Sequence, residues 1–190
     1  DFRPYKVGNN IQKGMRIPDG AEKSVVEMVF IYKVGGVDKE FTEKDLMAIP
    51  EGAVFVDRKD KVITEGYVPP IHDFTMEKDG SDYKEEFLEA PKLMLITAYD
   101  LTKADHSGMA KLEKLNQDAK AKGYQVIAMT ASSPEEIAAA KKQFGLTFDF
   151  YFCDAITVKT IERANPSIVL IEKGTIKQKV HHNDIADLKF

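Results

Sequence analysis

Cysteine is nearly absent from this chain: Cys153 is the one cysteine among 190 residues. A single thiol excludes an internal disulfide and a zinc site built from several thiolates. The sequence also lacks an apolar run of the roughly 20 residues that a membrane-spanning helix needs. It contains neither G-x-G-x-x-G nor G-K-[ST], so no phosphate-binding loop is indicated. The 27 basic and 31 acidic residues give a net charge of −4 with no basic stripe, which disfavours a nucleic-acid partner.

The composition itself is that of an ordinary folded domain, with 43% hydrophobic and 31% charged residues. A chain of 190 residues can form one core, or one core with a small subdomain. It begins with Asp1 and not with Met, and it shows no signal peptide. We therefore expect a processed product or an excised fragment.

The first third of the chain is rich in short β-strand patterns. Residues 1–20 show no sustained period and predict an irregular arm. Residues 21–66 predict a small β-rich subdomain, which starts with a hairpin turning at Gly35 and Gly36. The runs "AVFVD" and "KVITEGY" predict two further short strands, and the overlapping "DRKDK" a solvated turn between them.

The remaining residues, 67–190, alternate between strand and helix patterns. Leu93–Tyr99 is a continuous apolar run, typical of a strand covered on both faces. A helical period follows from His106 to Lys122, and Ser133, Pro134 and Glu136 form the start signal of a second helix. The runs "SIVLI" and "TIKQKV" predict a final hairpin, whose lysines suit a sheet edge. The expected fold class is α/β, with a mixed sheet and helices on both faces.

This order of elements resembles the thioredoxin fold. The stretch "IHDFTMEKDGSDYKEEFLEAPKLMLITAY" is similar to the entry of peroxiredoxin-like and membrane-anchored thioredoxin-like proteins. The stretch "FGLTFDFYFCDAITVKTIERANPSIVLIEKGTI" is similar to their second half, in which a proline opens the last hairpin. The resemblance implies that Pro166 follows a cis peptide bond beside the active site of the fold.

The sequence departs from that family where its chemistry resides. Without gaps, the two positions of the Cys-x-x-Cys motif fall on Thr102 and Asp105, and we expect both on the first turn of a helix. Exchange between dithiol and disulfide needs two sulfur atoms, so this reaction is excluded at the usual place. Asp105 can instead cap the helix N-terminus and complement its dipole.

The opening "DFRPYKVGNNIQKGMRIPDGA" is similar to the segment after the last membrane helix in DoxX-family proteins of Bacteroidetes-type bacteria. Some of these carry a thioredoxin-like tail. The resemblance implies a soluble tail tethered to the bacterial inner membrane, and we expect it on the periplasmic side. Its own membrane domain would then be one partner.

Two alternatives stay open at this stage. Cys153, at the end of the apolar run "FYFC", is either a buried hydrophobic side chain or a reactive thiol near the Pro166 loop. The pairs Asp105-His106 and His181-His182 are either solvated or metal ligands, although neighbouring histidines in a strand point to opposite faces.

We expect neither a metal nor another cofactor. The leading hypothesis is a redox-inactive thioredoxin-like interaction domain that docks a protein or peptide at the Pro166 loop. The alternative is an atypical oxidoreductase that uses Cys153, or one that assists a partner bearing the thiols.

Overall fold

The computed structural model describes residues 4–190, and the chain divides into two compact units. The smaller unit is Ile17–Val68, and the larger unit combines Pro69–Phe190 with the segment that ends at Arg16. The sequence predicts an irregular arm over residues 1–20, of which 1–3 lie outside the described residues. The structure instead has a short helix there, and it buries Tyr5 and Ile11 in the core of the larger unit. Two isolated anchors do not produce a period, so the pattern could not reveal them.

The smaller unit is an antiparallel sheet of three strands. Strands β1 (Val25–Val34) and β2 (Val37–Thr42) form the predicted hairpin, whose turn glycines both have positive φ. Strand β3 (Val54–Thr64) pairs with the other side of β1, so the strand order is β2-β1-β3. The predicted turn at "DRKDK" is wrong. These charged residues continue one strand, because their side chains alternate between two exposed faces and need no turn to reach water.

The two faces of this small sheet differ in character. One face carries an aromatic cluster, in which the ring of Tyr32 contacts Phe41 and Phe55 edge-on. The other face carries Glu40, which pairs with Lys59 and Lys61 across β1. Across residues 17–68, Val29 is the one fully buried side chain. A short 3₁₀ helix, Glu43–Ala48, follows β2.

The larger unit contains six helices and seven strands in the described residues. The helices are α1 (Ile11–Met15), α2 (Lys84–Glu89), α3 (His106–Met109), α4 (Leu112–Ala121), α5 (Pro134–Phe144) and α6 (Ala155–Ile161). The strands are β4 (Glu77–Lys78), β5 (Ser81–Asp82), β6 (Leu93–Thr97), β7 (Gln125–Thr130), β8 (Asp149–Phe152), β9 (Ser167–Glu172) and β10 (Thr175–His181). Short 3₁₀ helices occupy Leu101–Lys103 and His182–Asp187.

The sheet has the order β10-β9-β6-β7-β8-β4-β5 and is mixed, as predicted. Strands β6, β7 and β8 are parallel, whereas β9 is antiparallel to β6 and forms a hairpin with β10 at the edge. Alternate residues of β6 point to two separate cores. Leu93 and Leu95 join one core with α1, α2 and α6, and Met94 and Ile96 join the other with α3, α4 and α5. The predicted thioredoxin-like α/β fold class is therefore confirmed.

The helix boundaries follow the sequence signals in part. Helix α5 begins with the predicted capping box of Ser133 and Glu136, and it ends at Gly145 in the left-handed region. The predicted helix from His106 to Lys122 is broken into α3 and α4 between Met109 and Leu112. No breaker residue marks that break, so the helical period passes over it.

Candidate functional site

The loop that follows β6 is where the family resemblance puts the active site. Asp100 begins the 3₁₀ helix there, and its carboxylate accepts hydrogen bonds from the Thr102 backbone N–H at 3.0 Å and from the Thr102 hydroxyl at 2.6 Å. The ammonium of Lys103 donates a further bond at 2.7 Å. The bond from Lys103 lowers the pKa of Asp100 most, followed by that from Thr102, to about 2. Both donors favour the ionised form of Asp100, and their hydrogen bonds connect residues 100–103 of the loop.

Asp105 caps helix α3, as predicted. Its carboxylate accepts from the backbone N–H of Gly108 and from the hydroxyl of Ser107, both at 2.7 Å. These two bonds, with that of Ser107 as the larger cause, lower the pKa of Asp105. The side chain thus stabilises the strand–helix junction as an anion.

The two positions aligned with the family's cysteines do not share a helical turn. Thr102 lies in the 3₁₀ helix, Ala104 is extended, and Asp105 stands just outside α3 as its N-cap. The expectation of one common first turn is wrong, because the chain changes conformation at Ala104 before α3 begins.

The loop at Pro166 closes the site from the other side. The Asn165–Pro166 peptide bond is cis, which confirms the prediction. The backbone N–H of Asp105 donates to the Asn165 carbonyl at 2.8 Å, and the Asn165 amide nitrogen donates to the Asp100 carbonyl at 2.7 Å. The amide oxygen Oδ1 of Asn165 is buried and has no hydrogen-bond partner within residues 4–190.

His182 completes this arrangement, a role that the sequence did not predict. Its Nδ1 lies 2.9 Å from the carbonyl oxygen of Pro166, and its Nε2 lies 3.6 Å from Oδ1 of Asp105. A carbonyl only accepts, so Nδ1 carries the proton of the first contact. His182 thereby connects the proline loop to the cap of α3. We call the set Asp105, Asn165, Pro166 and His182 the proline-loop lock.

The expectation of two solvated histidines on opposite faces is wrong for His182, which is only 8% exposed. His181 ends β10 and His182 begins a 3₁₀ helix, so the strand alternation stops between them and their rings lie 4.0 Å apart. Within residues 4–190, no three His, Cys, Asp or Glu side chains cluster as a metal site would require.

Cys153 directly follows β8 and is completely buried in the core shared with Tyr5. Burial is the largest cause that raises the pKa of its thiol, and the nearby charge of Asp154 raises it further; hydrogen bonds with Thr75 oppose the shift. A thiol that is inaccessible and held neutral is a poor nucleophile. The geometry supports the reading of Cys153 as a buried hydrophobic side chain.

A groove of about 540 Å³ lies beside the lock, between the loop after β6 and the end of α6. Tyr99 forms one wall, and the ammonium of Lys159 sits 4.5 Å from the centre of its ring. Ile156, which is 76% exposed, supplies an apolar edge, and Arg163 leads directly into the proline loop. The groove combines apolar surface, a half-buried aromatic ring and charges of both signs, since Glu162 also lines it, and this lining suits a polypeptide segment.

Comparison with protein families gives a match only within the smaller unit. A model described as a domain of unknown function (DUF8463) matches residues 26–65, which hold most of β1 and all of β2 and β3. No curated protein matches the chain.

Solved structures resemble this chain over little more than half of its length and at low sequence identity. A hypothetical protein of Sinorhizobium meliloti is 18% identical, with a TM-score of 0.42 over 55% of this chain. A thiol-disulfide oxidoreductase of Bacteroides fragilis is 16% identical, with a TM-score of 0.45 over 56% of this chain and 86% of its own. The thioredoxin domain of a thiol-disulfide oxidoreductase of Bacteroides vulgatus is 13% identical, with a TM-score of 0.46 over 60% and 86%.

The matched region spans 63% of the Sinorhizobium protein, and likewise 64% of an uncharacterised conserved protein of Geobacillus kaustophilus. Similarities at this level of sequence identity and TM-score support no conclusion about activity. The fold class is assigned from the strand order of the sheet. Among the helices of residues 4–190, none is both long and apolar enough to cross a membrane.

Proposed function

We propose that this chain is a thioredoxin-like interaction domain that binds an extended segment of another protein beside Pro166 and performs no thiol chemistry there. One observation carries the proposal. The contacts of the proline-loop lock involve no sulfur, while the single thiol, Cys153, is buried elsewhere in the core. The scaffold that presents the proline loop is thus maintained by groups that cannot exchange disulfides.

The groove next to the lock supports a polypeptide ligand. Ile156 offers apolar area that is exposed in the free chain, and burying it favours association. Lys159 and Arg163 present donors that suit backbone carbonyls and carboxylates. We therefore propose that the docked segment is extended, with an apolar side chain at Ile156 and acidic or carbonyl groups near Arg163.

Binding can be tested with insulin B chain whose thiols are blocked, as an unfolded probe that cannot exchange disulfides. We expect amide NMR shifts confined to the loop after β6, to α6 and to the proline loop. Ile156→Asp should weaken the binding, whereas Val7→Asp, at a site 58% exposed in the same unit, should not. Shifts spread evenly over the surface, or equal effects of both variants, would refute the proposed docking edge.

The alternative function, an atypical oxidoreductase, makes a different prediction. If Cys153 or a bound thiol partner gave turnover, insulin reduction by a thiol reductant would exceed the rate without protein. We expect turbidity to develop as in the protein-free control, for the native chain and for Cys153→Ser alike. Turnover that disappears in Cys153→Ser would establish the alternative and overturn the redox-inactive reading.

We also propose that the domain is the soluble tail of a DoxX-family membrane protein at the bacterial inner membrane, on its periplasmic side. Support comes from the resemblance of the opening residues, "DFRPYKVGNNIQKGMRIPDGA". The membrane domain would then be its constant partner. Fractionation of the native host, with protease treatment of spheroplasts, tests this placement. Recovery in the soluble fraction, or protection in intact spheroplasts, would contradict it.

A further inference from the structure

Among the strands of residues 4–190, β3 is the longest that lies at the edge of a sheet. β3 runs for 11 residues, pairs with β1 on one side, and ends the order β2-β1-β3 on the other. Every one of its residues is exposed, including Phe55 at 54% and Val62 at 54%. An edge strand of this length presents backbone donors and acceptors to another strand, although the backbone N–H of Arg58 already donates to Oδ1 of Asp57 at 2.8 Å. The backbone of this edge can therefore form hydrogen bonds with another strand.

Charge on an edge strand normally prevents such pairing, since lysines repel a second edge. The central residues of β3 are Asp57-Arg58-Lys59-Asp60-Lys61. Residues at equal distances on either side of Lys59 carry charges of opposite sign. When two copies of β3 run antiparallel with Lys59 opposite Lys59, Arg58 of each faces Asp60 of the other. Asp57 likewise faces Lys61. Four opposite-charge contacts result, two of each kind, and such cross-strand pairs are stabilising.

Neighbouring registers lack this match. A two-fold symmetric pair keeps the faces of the two sheets aligned, so the nearest alternatives centre on Arg58 or on Asp60. Centring on Arg58 puts Arg58 opposite Arg58 and keeps two opposite-charge contacts, of Asp57 with Lys59. Centring on Asp60 puts Asp60 opposite Asp60 and Lys59 opposite Lys61. Like charges directly opposite are destabilising, so the pattern selects the register centred on Lys59.

The like pair at the centre is compensated within each copy. Glu40 of β2 forms ion pairs with Lys59 and with Lys61, the latter at 3.2 Å. These side chains share one face of the sheet, whereas Arg58 and Asp60 point to the other. Lys59 therefore brings its own counter-ion to the symmetry axis.

The backbone is also regular where the match lies. Six consecutive pairs, from Asp57 with Ile31 to Val62 with Val26, join β3 to β1 without interruption, and irregularities occur only beyond both ends. The irregularities skip Val56 and Ile63, so the regular register extends from Asp57 to Val62. The segment that pairs would therefore be short and centred on its charged residues.

We propose that two copies of this chain associate through β3, antiparallel and centred on Lys59, to form a continuous six-stranded sheet. The contact is short, so the association is concentration-dependent and weak. It weakens further as salt screens the charge pairs.

Charge exchange at Arg58 and Asp60 tests the proposal in the 190-residue chain. The native chain should show a monomer–dimer equilibrium in sedimentation experiments. Arg58→Asp or Asp60→Arg alone should lower the association constant by about tenfold or more, because each turns two attractive contacts into repulsive ones. The double variant Arg58→Asp with Asp60→Arg should restore association to near the native value. Both substitutions leave the Glu40 cluster intact, and circular dichroism verifies folding.

A native chain that stays monomeric at millimolar concentration would overturn the proposal. So would single variants that associate like the native chain, or a double variant that is no better than the singles.

Crosslinking gives a second measurement that does not depend on charge. Directly opposed residues in an antiparallel pair have Cα atoms about 4.5–5.5 Å apart, within disulfide range. Lys59→Cys should therefore form an intermolecular disulfide under mild oxidation. Asp38→Cys, on the opposite edge strand β2, is the matched control and should not. Equal crosslinking of the two variants would refute pairing through β3.

Discussion

The reactivity of Cys153 separates the two functional readings most directly. Its side chain is fully buried, and burial raises the pKa of the thiol, so the folded chain offers a reagent neither access nor thiolate. Modification then needs an opening of the core. In a domain of ordinary stability, about 5 kcal/mol or more, the core is open in less than about one molecule in a thousand at equilibrium. We expect a chromogenic disulfide reagent to react with native Cys153 about a thousandfold or more slowly than in 6 M guanidinium.

Thr102 supplies the matched control, because it is exposed in the loop where the family's first cysteine would stand. The variant Cys153→Ser with Thr102→Cys keeps one thiol per chain but moves it to the surface. It should react at similar rates in the native and denatured states. If native Cys153 instead reacts within about tenfold of its denatured rate, its core position would be refuted and the oxidoreductase reading would return.

Three further outcomes follow from individual contacts. Burial raises the pKa of Cys153 and of Tyr5, so both favour the neutral form on folding. Stability is then full below the ordinary cysteine pKa of about 8.5 and falls as pH rises above it, and Cys153→Ala should flatten the first part of that fall in urea titrations. The pKa of Asp100 is lowered to about 2, so its contribution is lost as pH falls from about 4 towards 2, and Asp100→Asn should remove this acid dependence. A Cβ added at Gly108 would lie 2.8 Å from Cβ of His182, so Gly108→Ala should destabilise by about 1–2 kcal/mol despite its better helix propensity, and unchanged urea midpoints would contradict that packing.

Local signals predicted the elements that one pattern controls. The parallel strands around Leu93–Tyr99 are apolar on both faces, and both faces are indeed covered by helices. The cap by Asp105 and the start of α5 at Ser133 depend on contacts within four residues, which a sequence shows directly. The cis bond at Pro166 came from resemblance, because its neighbours in the sequence carry no such signal.

The proline-loop lock could not be predicted from local sequence patterns. His182 is distant in sequence from both Pro166 and Asp105, and its role depends on β10 ending one residue earlier, so that a 3₁₀ helix turns its ring inwards. Nothing in the pair His181-His182 distinguishes a solvated ring from a buried one. The identity of the residue was visible in the sequence, but its partners were set by tertiary structure.

The wrong prediction of a turn at "DRKDK" also arises because tertiary pairing, and not the local sequence, sets the structure of this segment. Charged residues usually indicate a solvated turn, because removing a charge from water costs free energy. In β3 the side chains reach water on both faces while the backbone stays extended against β1, so solvation and strand structure do not compete. The order of signs in this segment therefore carries no information about its secondary structure. In the proposed dimer, this order of signs places Arg58 of one copy opposite Asp60 of the other.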